Sequence, residues 1–350
     1  MKISRRVFLS TGTAMVAVAA GQLGKTDRGL AQTGAINLYS ARHYDTDNAL
    51  YESFTKKTGI KVNLIEADAS QLIARIQSEG ASSPADVIIT VDAGNLWRAK
   101  DAGILQPVSS QVLRTAIPAN LRDPEDYWFG LSKRARVIMY NKDKVKPSDL
   151  STYEALTDSK WKGRILVRSS SNVYNQSLVG SMIAINGEQK TEAWARGLVA
   201  NFARPPEGND TAQIKAVAAG QGDIAIANTY YVARLLKSSK ADEKAIAQKI
   251  GVFFPNQSDR GTHINISGGG VVKTSRNKDG AIKFLEHLVS PEAQEIFANR
   301  NNEYPVLNSM ALDPVLAGFT QRAKFDTAKA DEFGRNNRKA LEIMNRANWK

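Results

Sequence analysis

The chain has 350 residues, no cysteine, three histidines and a formal net charge of +12, with 42% hydrophobic and 23% charged residues. That composition excludes a disulfide scaffold, a thiolate-held metal and a lipid-bearing cysteine, and it belongs to a folding protein long enough for two lobes. Residues 1–30 carry Lys2, Arg5, Arg6, Lys25 and Arg28 against Asp27, which is +4 of the +12, so +8 remains, interleaved with acids and without a nucleic-acid-binding signature.

In chain order, the first segment is "MKISRRVFLSTGTAMVAVAAGQLGKTDRGLAQ". Arg5 and Arg6 precede an apolar run, Val7 to Ala20, too short and alanine-rich for a membrane span, and small residues follow. Residues 1–31 therefore read as an export signal. "SRRVFLS" resembles the twin-arginine type, with cleavage after Ala31 favoured over Ala19. Export without a cysteine for lipid attachment predicts a free protein of the periplasm, with an internal lumen as the other destination.

The apolar run "AINLYS" predicts a strand, "DTDNALYESFTKKTGI" a helix opening at Asp45 or Thr46 and closing at Gly59, and "KVNLIEAD" a second strand. "ASQLIARIQSEG" predicts a helix, "ADVIITVD" a third strand and "AGNLWRAKDAG" its helix. This alternation implies a mainly parallel sheet between helical layers. Strand Ala135 to Tyr140 and Pro147 then open new material, in which "KGRILVRS", "QGDIAIAN" and "IGVFFPN" are strands among four helices. A strand from His263 to Ile266, the glycines Gly268 to Gly270 and helices up to "NEYPVLN" complete the order. A lobe interrupted by another and resumed fits it: 32–134 with 267–350 as lobe 1, and 135–266 as lobe 2. Extended segments near 135–140 and 263–272 cross between them, and the cleft is the expected ligand site. This order, with "NKDGAIKFLEHLVSPEAQEIFANRNNEYPV", resembles the periplasmic binding proteins of ABC importers. The resemblance implies a bilobal α/β fold of type II, two three-layer lobes on hinge strands, and an inner-membrane permease and ATPase as partners.

Ligands of such lobes bind beyond the carboxyl ends of strands. Beyond Ile36 to Ser40 stand Arg42, His43, Tyr44 and Asp45; beyond Ile165 to Val167, Ser169 to Asn172 and Tyr174; beyond Ile224 to Ala227, Asn228, Tyr230 and Tyr231. A tyrosine at a strand end is usually a half-buried packing residue, and a lone histidine there a hydrogen-bonded loop residue. Four of the ten tyrosines at such positions, two of them adjacent and pointing roughly 100° apart on a helix, argue for function. Carbohydrate and amino-acid sites pair aromatics with carboxylates, which are scarce here. Phenolate oxygens are hard anionic donors. Ionising four phenols of pKa about 10 at pH 7 costs on the order of 16 kcal/mol, which a strong Lewis acid recovers. Mg²⁺ and Ca²⁺ prefer carboxylates and water, and Zn²⁺ histidine and thiolate, so Fe³⁺ matches best.

The set is similar to the site of bacterial ferric-ion-binding proteins, cyanobacterial branch, with a "HY" pair, a single tyrosine and a "YY" pair. The resemblance implies His43, Tyr44, Tyr174, Tyr230 and Tyr231 as ligands of Fe³⁺ as transported cargo, with Fe²⁺ left open. Four phenolates around Fe³⁺ leave about −1, and Arg234, one turn beyond the "YY" pair, and Arg134 are the candidate counter-charges. A monomer is expected, with no nucleic acid as partner. The competing expectation is a binding protein for an organic or anionic solute of the polyamine or phosphonate class, with the tyrosines as stacking walls. His43, His263 and His287, with neither "GxSxG" nor "HExxH", leave little from which to build an enzyme.

Overall fold

The computed structural model describes residues 34–307, 310–320 and 323–350; the export signal read at residues 1–31 lies outside them. Among the described residues the strands are β1 (Ala35–Ser40), β2 (Lys61–Glu66), β3 (Val87–Val91), β4 (Phe129–Asn141), β5 (Ile165–Leu166), β6 (Ile224–Asn228), β7 (Ile250–Phe253), β8 (Ile264–Val271) and β9 (Tyr304–Pro305). They form one sheet in the order β2-β1-β3-β8-β4-β6-β5, with β7 and β9 also paired to β4.

The early alternation of apolar runs and capped helices yields β1 parallel to both β2 and β3. The helix Asn48–Thr58 ends on Gly59 at φ 74°, the left-handed stop that glycine permits. Its start differs from expectation, because Asp45–Asp47 forms a separate 3₁₀ turn. The sheet is also less parallel than predicted. β8 runs antiparallel to both β3 and β4, and β4 antiparallel to β6 and β7. β4 and β8 are separated by β5, β6, β7 and the helices among them rather than joined by a single strand–helix–strand crossover, so no such unit imposes a parallel course.

β4 has 13 residues rather than the six expected. Its first part pairs with β8 and its second with β6 and β7, so one strand passes from one half of the sheet to the other. Beyond Ala135 its residues alternate between two cores: Val137 and Met139 enter one cluster, Ile138 and Tyr140 the other. Both faces of that half are therefore buried, as three layers require. Gly268, Gly269 and Gly270 lie within β8, where a Cβ would stand 2.5–3.0 Å from a carbonyl oxygen of Phe129, Ile88 and Tyr127 respectively. The glycines allow close approach of the neighbouring chain segments.

The C-terminal helices bridge the halves. Ala330–Arg335 lodges between the helices Ala93–Asp101 and Val173–Asn186. Gly334 there has no room for a Cβ against Trp97, nor Gly180 against the Phe333 carbonyl. Asn337–Arg346 then covers Val173–Asn186 and Glu188–Ala200, and Ile343, Met344 and Trp349 join the second core. The residues beyond 330, expected on lobe 1, thus pack on helices of the second half as well.

Candidate metal centre

Each candidate tyrosine stands where extended chain hands over to a helix. Tyr44 follows β1 in an extended conformation (φ −117°, ψ 113°) immediately before the Asp45–Asp47 turn. Tyr174 is the second residue of Val173–Asn186, whose cap Asn172 accepts the Tyr174 N–H on Oδ1 at 3.2 Å. Tyr230 and Tyr231 are the second and third residues of Thr229–Leu236, entered directly from β6. Helix starts carry positive partial charge, which favours anionic oxygen there.

The fold brings the four rings together. The Tyr174 and Tyr230 hydroxyl oxygens lie 3.4 Å apart. The Tyr44 ring meets Tyr230 edge to face, with centroids 6.4 Å apart at 74°. Tyr230 and Tyr231 do not diverge as an ideal helix predicts: their rings stack at 4.1 Å and 29°. His43 is solvent-exposed beside Tyr44. Among the described residues, no group of three or more His, Asp or Glu side chains could hold a metal, so a cation here depends on phenol oxygen.

Around the phenols stand guanidinium groups of two kinds. Arg42 and Arg136 are compensated. Arg42 Nε meets Asp47 at 2.7 Å and Arg42 Nη1 meets Glu303 at 3.0 Å, with the guanidinium 4.7 Å from the Tyr44 ring centre. Arg136 Nη1 meets Asp210 at 3.2 Å, with the guanidinium 5.8 Å from the Tyr174 ring centre. Arg134, on β4, is different. It is buried, 5.4 Å from the Tyr174 ring centre, and donates from Nη2 to the Ile266 carbonyl, while its Nε and Nη1 have no partner and no carboxylate pairs with it. An unpaired buried cation is expensive, and its field points to anionic charge that the ionised phenols would supply. Arg234 is exposed, yet its guanidinium lies 5.2 Å from the Tyr44 ring centre and 5.5 Å from that of Tyr230, so it contacts a phenol from each half.

Sequence reasoning placed Arg134 and Arg234 but gave no role to Arg42, Arg136, Arg168, Asp47, Asp210 or Glu303. Arg42 adjoins the "HY" pair, a local signal that was available. Glu303 sits 261 residues from Arg42, and nothing in "NNEYPV" announces it.

Without a cation Tyr44, Tyr230 and Tyr231 stay protonated. Burial, with Glu303 and Tyr174 adding to it and Arg42 and Arg134 opposing it, pushes Tyr44 up to about 12. Burial, reinforced by neighbouring tyrosines, raises Tyr230 well above the ordinary phenol value and raises Tyr231 as well. Ionising Tyr44 at pH 7 then costs about 7 kcal/mol, more than an exposed phenol would need. A weakly charged ligand could not recover that; a hard trivalent cation can.

The model of the bacterial extracellular solute-binding protein family matches residues 49–326. The chain is 57% identical to Iron uptake protein A1 of Synechocystis over all of its own length and 99% of the relative. It is 31% identical to the Major ferric iron-binding protein of Neisseria meningitidis over 80% of this chain and 84% of that one. Among solved structures, the Trichodesmium protein IdiA (FutA), in complex with iron and citrate ligands, superposes with a TM-score of 0.88 at 65% identity, covering 91% of this chain and all of that one. Apo FutA2 of Synechocystis gives 0.87 at 55% identity over 91% of this chain and all of its own.

Proposed function

The chain belongs to the bacterial extracellular solute-binding proteins, in the type II periplasmic-binding-protein fold, and from that premise we propose that it captures ferric iron through its tyrosine cluster. Tyr44, Tyr174, Tyr230 and Tyr231 supply phenolate oxygens and His43 a nitrogen, swung in from its exposed position. The lobes are residues 32–134 with 267 onward, and 135–266, hinged on β4 and β8, with the helices beyond 330 bracing both. Fe³⁺ and four phenolates sum to −1, which the unpaired Arg134 matches, whereas Fe²⁺ would leave −2 against the same cation. The cargo passes to an inner-membrane ABC permease and its ATPase. The protein acts as a monomeric carrier without catalysis, in the periplasm or an internal lumen. Among the described residues no helix is long and apolar enough to cross a membrane.

The observation that carries this reading is Arg134, a permanent buried cation with no carboxylate at ion-pair distance, on which the phenols and the more distant Glu303 act, set against Tyr44, Tyr230 and Tyr231, which burial keeps neutral. The stacking-wall alternative fits less well, because Tyr230 and Tyr231 present faces to each other rather than to a planar guest. Metal-free protein given ferric citrate should develop visible tyrosinate-to-iron charge-transfer absorption. Tyr230→Phe with Tyr231→Phe should abolish most of it and weaken binding by more than the 10- to 100-fold typical of losing an outer-shell partner. Protein that binds ferric iron without colour, or a double variant with unchanged affinity, would overturn the proposal.

A further inference from the structure

One aromatic residue far from the phenols in sequence is tied to their scaffold by a single shared carbonyl. Trp349 is buried, with its ring 6.2 Å from Trp194 and 5.5 Å from Phe202. Its indole Nε1–H donates to the Arg168 carbonyl at 2.9 Å. The same carbonyl accepts from Asn175 Nδ2 at 2.9 Å, and Asn175 directly follows Tyr174. Asn175 Nδ2 also reaches the Ser169 carbonyl at 3.1 Å, and Asn175 Oδ1 accepts from Arg136 Nη2 at 2.7 Å. The next loop residue is held from the same side, since the Ser170 N–H donates to the Lys350 carbonyl at 3.4 Å. The Arg168 side chain meanwhile lies 5.4 Å from the Tyr174 ring centre and 3.6 Å from Asp210.

Residues 168–172 thus form a short loop with no strand or helix ladder of its own between β5 and Val173–Asn186. A loop of this kind has as many positions as its side-chain and tail contacts leave it. The tail contacts come from a segment that also lodges between the helices Ala93–Asp101 and Val173–Asn186, through Phe333 and Gly334. Hydrogen bonds therefore join the tail, the loop and the start of the helix that carries Tyr174.

We infer that Trp349 is a positioning residue for the metal centre: its indole N–H fixes the Arg168 carbonyl, which through Asn175 sets where the Tyr174 phenol and the Arg168 guanidinium stand. The inference rests on the reading of Tyr174 as an iron ligand. Trp349→Phe removes the donor while keeping an aromatic ring against Trp194 and Phe202, and Asn175 remains on the carbonyl. A binding site loosened by one hydrogen bond should release its ion roughly three- to tenfold faster. Its charge-transfer maximum should move, because the Tyr174 oxygen no longer approaches from the same direction.

The test is a double-variant cycle on full-length protein carrying ferric iron from ferric citrate. It records the absorption maximum, the rate of iron loss to excess EDTA, and the melting temperature of metal-free protein. Trp349→Phe should shift the band and speed loss in the wild-type background and do neither in a Tyr174→Phe background. If the variant matches wild type in band and rate, or if its effect persists undiminished in the Tyr174→Phe background, Trp349 acts only on stability and the inference is wrong. A wild-type protein that shows no charge-transfer band at all would defeat the phenolate reading instead, so the two failures are told apart.

Discussion

Replacing Arg134 by methionine removes the buried charge while keeping an apolar stem of similar length on β4. The guanidinium carbon lies 5.4 Å from the Tyr174 ring centre. A unit charge at that distance from a unit anion, at an effective dielectric constant of about 20, is worth about 3 kcal/mol, or roughly 10²-fold in affinity. The metal-free protein should respond in the opposite sense. There the cation has no carboxylate partner and two unpaired nitrogens, so its removal should leave the melting temperature unchanged or raise it. Chelator competition at pH 7, followed through the charge-transfer band, measures the first quantity, and thermal unfolding of metal-free protein the second. Arg134→Lys keeps the charge but not the planar fork, and should fall between wild type and methionine. Iron affinity within about threefold of wild type in Arg134→Met, or a loss of affinity that merely tracks a loss of stability, would refute the role of charge balance.

The pH dependence has a definite sign. Tyr44, raised to about 12, and Tyr230 and Tyr231, raised by burial, are all protonated at neutral pH without metal, so each that becomes a ligand must release a proton. Affinity should therefore fall as pH falls between pH 8 and 5, about tenfold per unit for each of these protons that is displaced. A flat profile in chelator competition across that range would exclude phenolate ligation. At the junction of the two halves, Ser177 donates to Asp92 Oδ1 at 2.5 Å, and Asp92 also accepts from Gly94 N–H and Asn265 Nδ2. Asp92 is buried and held at φ 82°, so Ser177→Ala leaves its carboxylate a donor short and should cost about 1–3 kcal/mol in denaturant unfolding, with iron colour retained.

Much of the site was legible because its signals are local. A tyrosine just beyond an apolar run announces a strand end and a helix start, with Asn172 or Asn228 reinforcing two of the three junctions, and three in one chain point to the candidate cluster. The fold class followed from the same alternation of apolar runs, caps and glycines. The extra length of β4 was hidden, because "FGLS" before Lys133 carries no alternation that separates strand from loop. The fate of the last twenty residues was hidden too: Trp349 reads as one more apolar residue until Arg168 and Trp194 are beside it.

The division has a physical cause. Backbone propensity, periodicity and capping act over a few residues, so the sequence by itself determined which side chains stand at helix starts and that they are phenols. Charge compensation acts through space, so only the tertiary structure decided which guanidinium remained unpaired. Arg42 found Asp47 five residues away and Glu303 at the far end of the chain, and Arg136 found Asp210. Arg134, on the strand joining the halves, found the Ile266 carbonyl and the phenols, with no carboxylate at ion-pair distance and Glu303 acting on it from farther away. The residue types name the chemistry of the ion, and the buried Arg134 guanidinium suits a loaded site whose net charge is negative.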